Sequence, residues 1–326
     1  MNGYARELEV ALDAVRAAAR VCRAVQARLV TAETLEKKDK SPVTVADFAS
    51  QAIVCQRLQA VLPDDRVVGE EDSADLRGAD SAELLAAVVR EVSGELEGPV
   101  DAEGVLAWID RGGAAADTER YWTLDPIDGT KGFLRGEQYA VALGLIEKGE
   151  VVLGVLGCPN LSGSAGPGLL FSAVRGQGAR EHALETRGED RAIGVAAVAT
   201  PSEARFCESV ESAHSDQGES AQIARRLGIT QEPFRIDSQC KYAAVARGDA
   251  SIYLRMPTRK DYREKIWDHA AGKLVVEEAG GRVSDVFGRE LDFGKGRTLE
   301  DNRGIVATSG AIHDEVVAAV RAVRGE

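Results

Sequence analysis

Two carboxylates three residues apart, Asp125 and Asp128, sit in the run Trp122-Thr123-Leu124-Asp125-Pro126-Ile127-Asp128-Gly129-Thr130, where Pro126 and Gly129 shape the backbone around them. An apolar lead-in that ends in Asp reads as a buried strand stopping at an acidic end. Pro126 fixes its own φ and holds Asp125 extended, and Gly129 allows a turn that a β-carbon resists. Carboxylates this close repel unless a cation lies between them, and hard oxygen ligands on a bent loop suit Mg²⁺. Asp-Pro and Asp-Gly are also ordinary turn signals, and an Asx-turn leading into a helix cap uses the same letters. The run alone leaves metal site and turn both open.

At 326 residues the chain is long for one core, so two packed domains are expected. The polar stretch Arg187-Gly188-Glu189-Asp190-Arg191 is the expected hinge, which divides the chain into 1–188 and 189–326. With 40 basic and 53 acidic residues the net charge is −13. That argues against a general affinity for nucleic acid or for an anionic membrane, but not against a small anionic substrate met by local Lys and Arg. The five cysteines are scattered, odd in number and without a C-x-x-C pair. They read as small buried residues of a reducing compartment: the cytoplasm, or a plastid or mitochondrial interior if a transit peptide has been removed. The N-terminal stretch has no apolar signal region and no apolar run reaches transmembrane length. The expected assembly is a monomer.

Residues 5–30 are rich in Ala and Val with Arg between, an amphipathic helix. A second helix is expected over about 45–61, a short strand at Val67-Val68, and a helical stretch near 82–92 followed by a Gly- and acid-rich segment without specific chemistry. Strands are expected over 138–146 and 151–156, joined by the hairpin signal Glu147-Lys148-Gly149-Glu150, and over 169–174 and 194–199. Beyond the hinge, helices near 217–227, 239–247, 265–279 and 311–323 alternate with strands near 251–255, 282–285 and 304–308, the pattern of an α/β unit.

Further acids recur at places where such units collect site residues, strand ends and helix starts. Asp47, in Thr44-Val45-Ala46-Asp47, lies inside a helix start and reads equally as half of a capping box. Glu70 ends a strand and, with Glu71 and Asp72, also reads as a solvated acidic turn. Asp268, in Ile266-Trp267-Asp268-His269-Ala270-Ala271-Gly272, opens a helix, where an acid is favoured by the dipole or as the cap itself. His269 is given no role. Five carboxylates from four segments weaken each of these bland readings together.

The pattern Ser41-Pro42-Val43-Thr44-Val45-Ala46-Asp47, then Val68-Gly69-Glu70-Glu71, then Leu124 to Thr130, then Trp267 to Gly272 resembles the lithium-sensitive, Mg²⁺-dependent inositol monophosphatase superfamily. Within it, Gly132-Phe133-Leu134-Arg135-Gly136-Glu137-Gln138-Tyr139, Gly157-Cys158-Pro159-Asn160, Asp237-Ser238-Gln239-Cys240-Lys241-Tyr242, Tyr253-Leu254-Arg255-Met256-Pro257 and Glu264-Lys265-Ile266-Trp267-Asp268 are most similar to the 3′(2′),5′-bisphosphate nucleotidases.

The resemblance implies a layered αβαβα sandwich in two subdomains, mixing α+β and α/β character. It implies two or three Mg²⁺ ions held by Glu70, Asp125, the Ile127 carbonyl, Asp128 and Asp268, with Li⁺ as an inhibitor. Asp47 and Thr130 are implied to orient and deprotonate the attacking water. A hydroxyl cannot act as base at neutral pH without a carboxylate partner. His214, Ser238, Lys241 and Arg255, with Thr130 and Asp268, are implied to meet the nucleotide, although Lys241 and Arg255 also read as a solvated face. The implied reaction removes the 3′-phosphate of a nucleotide 3′,5′-bisphosphate, or of its phosphosulfate form. An inositol polyphosphate 1-phosphatase and a non-catalytic nucleotide sensor are the alternatives.

Overall fold

A computed structural model describes residues 3–29, 41–163, 166–186, 190–210, 217–256, 259 and 261–325. Two antiparallel helices open the chain, α1 (Ala5–Leu29) and α2 (Ser41–Val61). Their contact faces are built from small residues: Ala11, Ala14, Ala18 and Cys22 on α1 and Ala49, Ala52 and Cys55 on α2 are all fully buried. Helix α2 starts four residues before its expected boundary, since Pro42 is tolerated in a first turn where its missing N–H has no intrahelical partner anyway. Thr44 is therefore not a cap, and Asp47 lies in the second turn rather than in a capping box.

Among the described residues, strands β1 (Arg66–Gly69), β2 (Arg120–Asp128), β3 (Ala140–Glu147), β4 (Glu150–Gly163), β5 (Gly166–Val174), β6 (Ala179–Ala183) and β7 (Asp190–Ala192) form one sheet in chain order. Only β1–β2 is parallel; the remaining pairs are antiparallel. Lys148 (φ 52°) and Gly149 (φ 80°) turn β3 into β4 as the hairpin signal predicts. A second sheet, ordered β11-β12-β10-β8-β9, contains β8 (Phe206–Glu208), β9 (Phe234–Arg235), β10 (Ile252–Arg255), β11 (Arg282–Ser284) and β12 (Ile305–Thr308).

Between the sheets lie α7 (Cys240–Ala246) and α8 (Ala270–Glu278), while α6 (Gln217–Leu227) and α9 (His313–Arg324) cover the far face of the second sheet. The order is helix, sheet, helix, sheet, helix, the αβαβα sandwich. The middle layer dictates its own sequence. A Cβ at Gly154 of β4 would meet the Ala271 backbone at 2.9 Å, and one at Gly272 would collide with the Tyr242 ring. Ala270-Ala271-Gly272 is thus small because α8 is squeezed between the first sheet and α7. Residues of both halves share this buried layer, Leu156 and Phe171 with Tyr242, Ala271 and Val275.

Three further expectations differ. The strand expected over 194–199 is absent; the chain there crosses between sheets, held by single bonds such as Val195 N–H to the Ala279 carbonyl (3.0 Å), and β7 forms earlier. The segment after α3 (Ala82–Glu95) contains a further helix, α4 (Ala102–Asp110), capped by Asp101 accepting from Gly104 N–H at 2.7 Å. Its acidic and Gly residues hid the buried triplet Val105, Leu106 and Ile109. Helix α8 begins at Ala270, after a 3₁₀ turn over Ile266–Asp268.

Candidate active site

Strand pairing sets the first two carboxylates level. Gly69 of β1 pairs with Leu124 of β2, and Glu70 N–H donates to the Leu124 carbonyl at 3.2 Å, so Glu70 and Asp125 leave adjacent strands side by side. Asp128 joins them through a defect. Side chains alternate along a strand, so residues three apart face opposite ways. Between Asp125, paired with Ala142, and Asp128, paired with Ala140, β2 advances three residues while β3 advances two. The extra residue resets the alternation and returns both acids to one side. Ser50 of α2 donates to the Pro126 carbonyl inside this bulge at 3.0 Å.

The chain turns at Gly129 (φ 95°) into the short helix α5 (Thr130–Leu134). A Cβ at Gly129 would lie 2.8 Å from the Ser238 Cβ, so the glycine is required by close approach as well as by φ. Ser238 itself has φ 64°, an unusual left-handed conformation for a non-glycine residue. That conformation presents Gln239 N–H to Asp128 Oδ2 at 2.5 Å, while Gln239 Nε2 donates to the Trp267 carbonyl at 2.9 Å. One residue thereby ties Asp128 to the turn that carries Asp268.

The acids act on one another. Asp125 is 2% exposed and its Oδ1 is buried without a hydrogen-bond partner. Burial first, and then the charges of Glu70, Asp128, Asp268 and Asp47, hold its carboxyl well above the usual range. Glu70 keeps an exposed edge, yet desolvation by the surrounding atoms is the main cause that pushes it up to about 7; Asp268, Glu71 and Asp128 add to this and a hydrogen bond with Asp125 opposes it. Asp268 is raised by burial, against the pull of Arg255 and His269. Asp47 is raised well above its ordinary value by burial, then by Glu71 and Glu70. Repulsion of this kind, with an orphaned carboxylate oxygen at its centre, is what a divalent cation relieves. The residues fit a hard metal ion with oxygen ligands.

A tighter trio, Glu264, Asp268 and His269, has its ligand atoms within 4.8 Å of one another. It is already occupied by protein. Arg255 Nε lies 2.7 Å from Glu264 and its Nη2 3.2 Å from Asp268. The His269 ring is fully buried, with Nε2 3.1 Å from Glu264 and Nδ1 2.8 Å from the Tyr242 hydroxyl. Its partners satisfy it within the fold.

On the opposite wall, Lys241 of α7 is 6% exposed, with Nζ 5.3 Å from the centre of the Tyr253 ring. Burial pushes its amine down, and Asp128 opposes that shift. Arg255 is half-buried on Glu264 and Asp268, with the Tyr262 hydroxyl 3.4 Å from Nη2. Ser238 Oγ accepts from Cys240 N–H at 3.2 Å, which leaves its own hydrogen to donate. Thr130 is exposed at the first residue of α5, and the Ile127 side chain is buried in the bulge. His214 lies outside the described residues.

Sequence reasoning passed over Gln51. This fully buried amide donates to the Glu71 and Ile109 carbonyls (2.6 and 2.9 Å) and accepts from Glu71 N–H at 3.2 Å. It fills the space that a Cβ on Gly69 or Gly112 would take, and so fixes the Glu70 backbone. A polar pair, Ser50-Gln51, set between Phe48-Ala49 and the apolar run Ala52-Ile53-Val54-Cys55 is the signal that marks it.

A profile of the inositol monophosphatase family matches residues 4–324. The chain belongs to the inositol monophosphatase family. Curated relatives in the family include a "3′(2′),5′-bisphosphate nucleotidase" of Emericella nidulans, 48% identical over 89% of this chain and 90% of that one. Proteins of the same name from Oryza sativa (47%; 98% and 95% covered) and Schizosaccharomyces pombe (45%; 97% and 95%) are also similar. Among solved structures of the family, Mycobacterium tuberculosis SuhB superposes with TM-score 0.65 at 23% identity over 100% and 99% of the two chains. The inositol monophosphatase of Anabaena does so with TM-score 0.64 at 22%, over 99% and 97%. At that identity the likeness carries the fold. No described helix is long and apolar enough to cross a membrane.

Proposed function

We propose that the chain is a Mg²⁺-dependent 3′(2′),5′-bisphosphate nucleotidase that converts adenosine 3′,5′-bisphosphate into AMP and phosphate. The observation that carries the reading is the meeting of Glu70, Asp125, Asp128 and Asp268, brought together by strand pairing, a bulge and the Gln239 tie, beside a buried Lys241. The names borne by its 45–48% identical relatives point the same way.

In this reading Glu70, Asp125, the Ile127 carbonyl, Asp128 and Asp268 hold two or three Mg²⁺ ions. Bound there, the metal supplies charge neutralisation on the phosphoryl group and activation of water. Asp47 and Thr130 orient the attacking water, with the Asp47 carboxylate drawing the proton passed through the Thr130 hydroxyl. Lys241 and Arg255 bind the 5′-phosphate or the ribose side, Ser238 donates a hydrogen bond there, and His214 and Asp268 complete the nucleotide contacts. Arg255 can serve both walls, because Glu264 takes its Nε and Asp268 its Nη2, which leaves Nη1 for a phosphate oxygen in this reading. Li⁺ would inhibit by taking a weakly held Mg²⁺ position.

The test is phosphate release across adenosine 3′,5′-bisphosphate, its phosphosulfate analogue, inositol 1,4-bisphosphate and inositol 1-phosphate, with and without Mg²⁺. Preference for the adenosine bisphosphate, abolished by chelation, is expected. A preference for inositol 1,4-bisphosphate would replace the substrate assignment, and tight nucleotide binding without turnover would make the chain a sensor.

A further inference from the structure

Arg297 approaches the acidic cluster from the loop between β11 and β12, outside every motif considered above. Its Nη2 donates to the Gly69 carbonyl at 2.5 Å, one residue before Glu70, and Nη1 lies 3.5 Å from the Ala114 carbonyl. The same guanidinium stacks on Trp267, 4.8 Å from the ring centre, one residue before Asp268. Its backbone reinforces the link: the Arg297 carbonyl accepts from Ile266 N–H at 3.2 Å, and Thr298 bridges to Lys265. Lys265 Nζ approaches the Trp267 ring as well, at 5.7 Å. The indole is 6% exposed, so this stacking is shielded from water.

We infer that Arg297 is a positioning residue that braces the end of β1 against the turn of Asp268 and sets the separation between Glu70 and Asp268, and thereby the affinity of the carboxylate cluster for divalent cations. This rests on the reading of Glu70 and Asp268 as ligands of one metal cluster. A planar fork that hydrogen-bonds carbonyls on one side and stacks on an indole with its face is chemistry that lysine cannot copy. Glu70 follows β1 of the first sheet while Asp268 lies in the 3₁₀ turn that leads into α8, and no strand pairing joins the two. A brace between the residues preceding each acid does what pairing does for Glu70 and Asp125.

The sign of the effect separates positioning from simple electrostatics. Arg297 lies close enough to Glu70 to feel its charge. A cation beside a cation site repels the metal, so neutralising it tightens Mg²⁺ if charge alone matters. Positioning demands the reverse.

The experiment is calorimetric titration of the nucleotide-free protein with Mg²⁺, for wild type, Arg297→Gln and Arg297→Lys, alongside steady-state kinetics. Both variants are expected to bind Mg²⁺ about tenfold more weakly, the scale of losing an outer partner of a metal ligand. At saturating Mg²⁺ their nucleotide KM should equal that of wild type. Unchanged or tighter Mg²⁺ binding in Arg297→Gln overturns the inference. So does a raised nucleotide KM with unchanged Mg²⁺ affinity, which would make Arg297 a substrate contact. If wild type itself takes up no Mg²⁺, the metal-site reading falls and this inference with it. Should Arg297→Gln fail to fold, Trp267→Phe carries the same titration, with weakening of about threefold expected from a poorer cation–π face.

Discussion

The carboxylate wall and the basic wall of the candidate site are prepared in opposite ways. On the wall built by β1 and β2, carboxylates crowd one another, Asp125 Oδ1 has no partner, and Asp47, Glu70 and Asp125 are all raised by burial and repulsion. On the wall built by α7 and β10, Arg255 is already held by Glu264 and Asp268, and Lys241 is packed against Tyr253. The acidic wall lacks what it needs until something arrives from solution, whereas the basic wall is largely complete within the protein. Asp268 belongs to both, tied to Arg255 on one side and to Asp128 through Gln239 on the other. In the proposed reading one wall recognises cations and the other anions, and substitutions can part them.

Asp128→Asn has the largest expected effect. It keeps the volume and the oxygen that accepts Gln239 N–H but removes a charge, so turnover should fall by more than the roughly 10–100-fold cost of losing an outer partner, with the thermal midpoint in metal-free buffer nearly unchanged. Near-wild-type phosphate release from that variant would erase the acidic half of the comparison. Lys241→Met comes next. Losing one charge-assisted hydrogen bond of about 1.5–3 kcal/mol should raise the KM for adenosine 3′,5′-bisphosphate roughly 10–100-fold and leave a substrate without the 5′-phosphate little affected. Equal effects on both substrates would take Lys241 out of phosphate recognition. Arg255→Ala is a blunter probe of the same wall, because it also strands Glu264 as a buried charge.

Thermal shifts sharpen the contrast at smaller amplitude. Mg²⁺ at a hundred times its dissociation constant should stabilise the chain by about 2.7 kcal/mol. Lys241→Met should keep that shift and Asp128→Asn should lose it, as read by scanning calorimetry; equal shifts in both would mean the ion binds elsewhere.

Legibility in the sequence followed physical locality. The strand–turn–acid run at 122–130, the hairpin at Lys148-Gly149 and the amphipathic first helix are local patterns, and they stand where the sequence puts them. The bulge that turns Asp125 and Asp128 to one side was hinted at by Pro126 and Gly129, but its register depends on β3, a partner no local window contains. Gln51, Gln239 and the Glu264–His269–Tyr242 chain were illegible for the same reason: each acts across 20 or more residues of sequence, except for the Glu264–His269 contact itself. The missed α4 and the absent strand at 194–199 are the converse, where a composition signal was overruled by packing and by a crossing between sheets.

The smallest expected effect lies in the outer layer, far from both walls. His313 of α9 is 1% exposed, its Nε2 2.8 Å from Ser284 Oγ and its Nδ1 2.9 Å from Thr308 Oγ1. Burial first, and Arg282 second, push it down to about 4. The unfolded ring takes its proton near pH 6.5. A depressed histidine therefore contributes stability that is fully present above that value and lost as pH falls toward 4. In urea unfolding, the stability difference between wild type and His313→Gln should shrink steadily from pH 7 to pH 4.5. A difference that does not vary with pH would show that the ring's contribution is packing alone.

The central claim is that the acids of β1, β2 and the Asp268 turn hold divalent cations together. Its most direct measurement is an anomalous difference map from crystals soaked in Mn²⁺. Peaks are predicted between Glu70, Asp125 and Asp128, within coordination distance of the Asp125 oxygen that now lacks a partner, and extending toward Asp268. An empty map there, or a peak confined to Glu264 and His269 with Arg255 displaced, would contradict it.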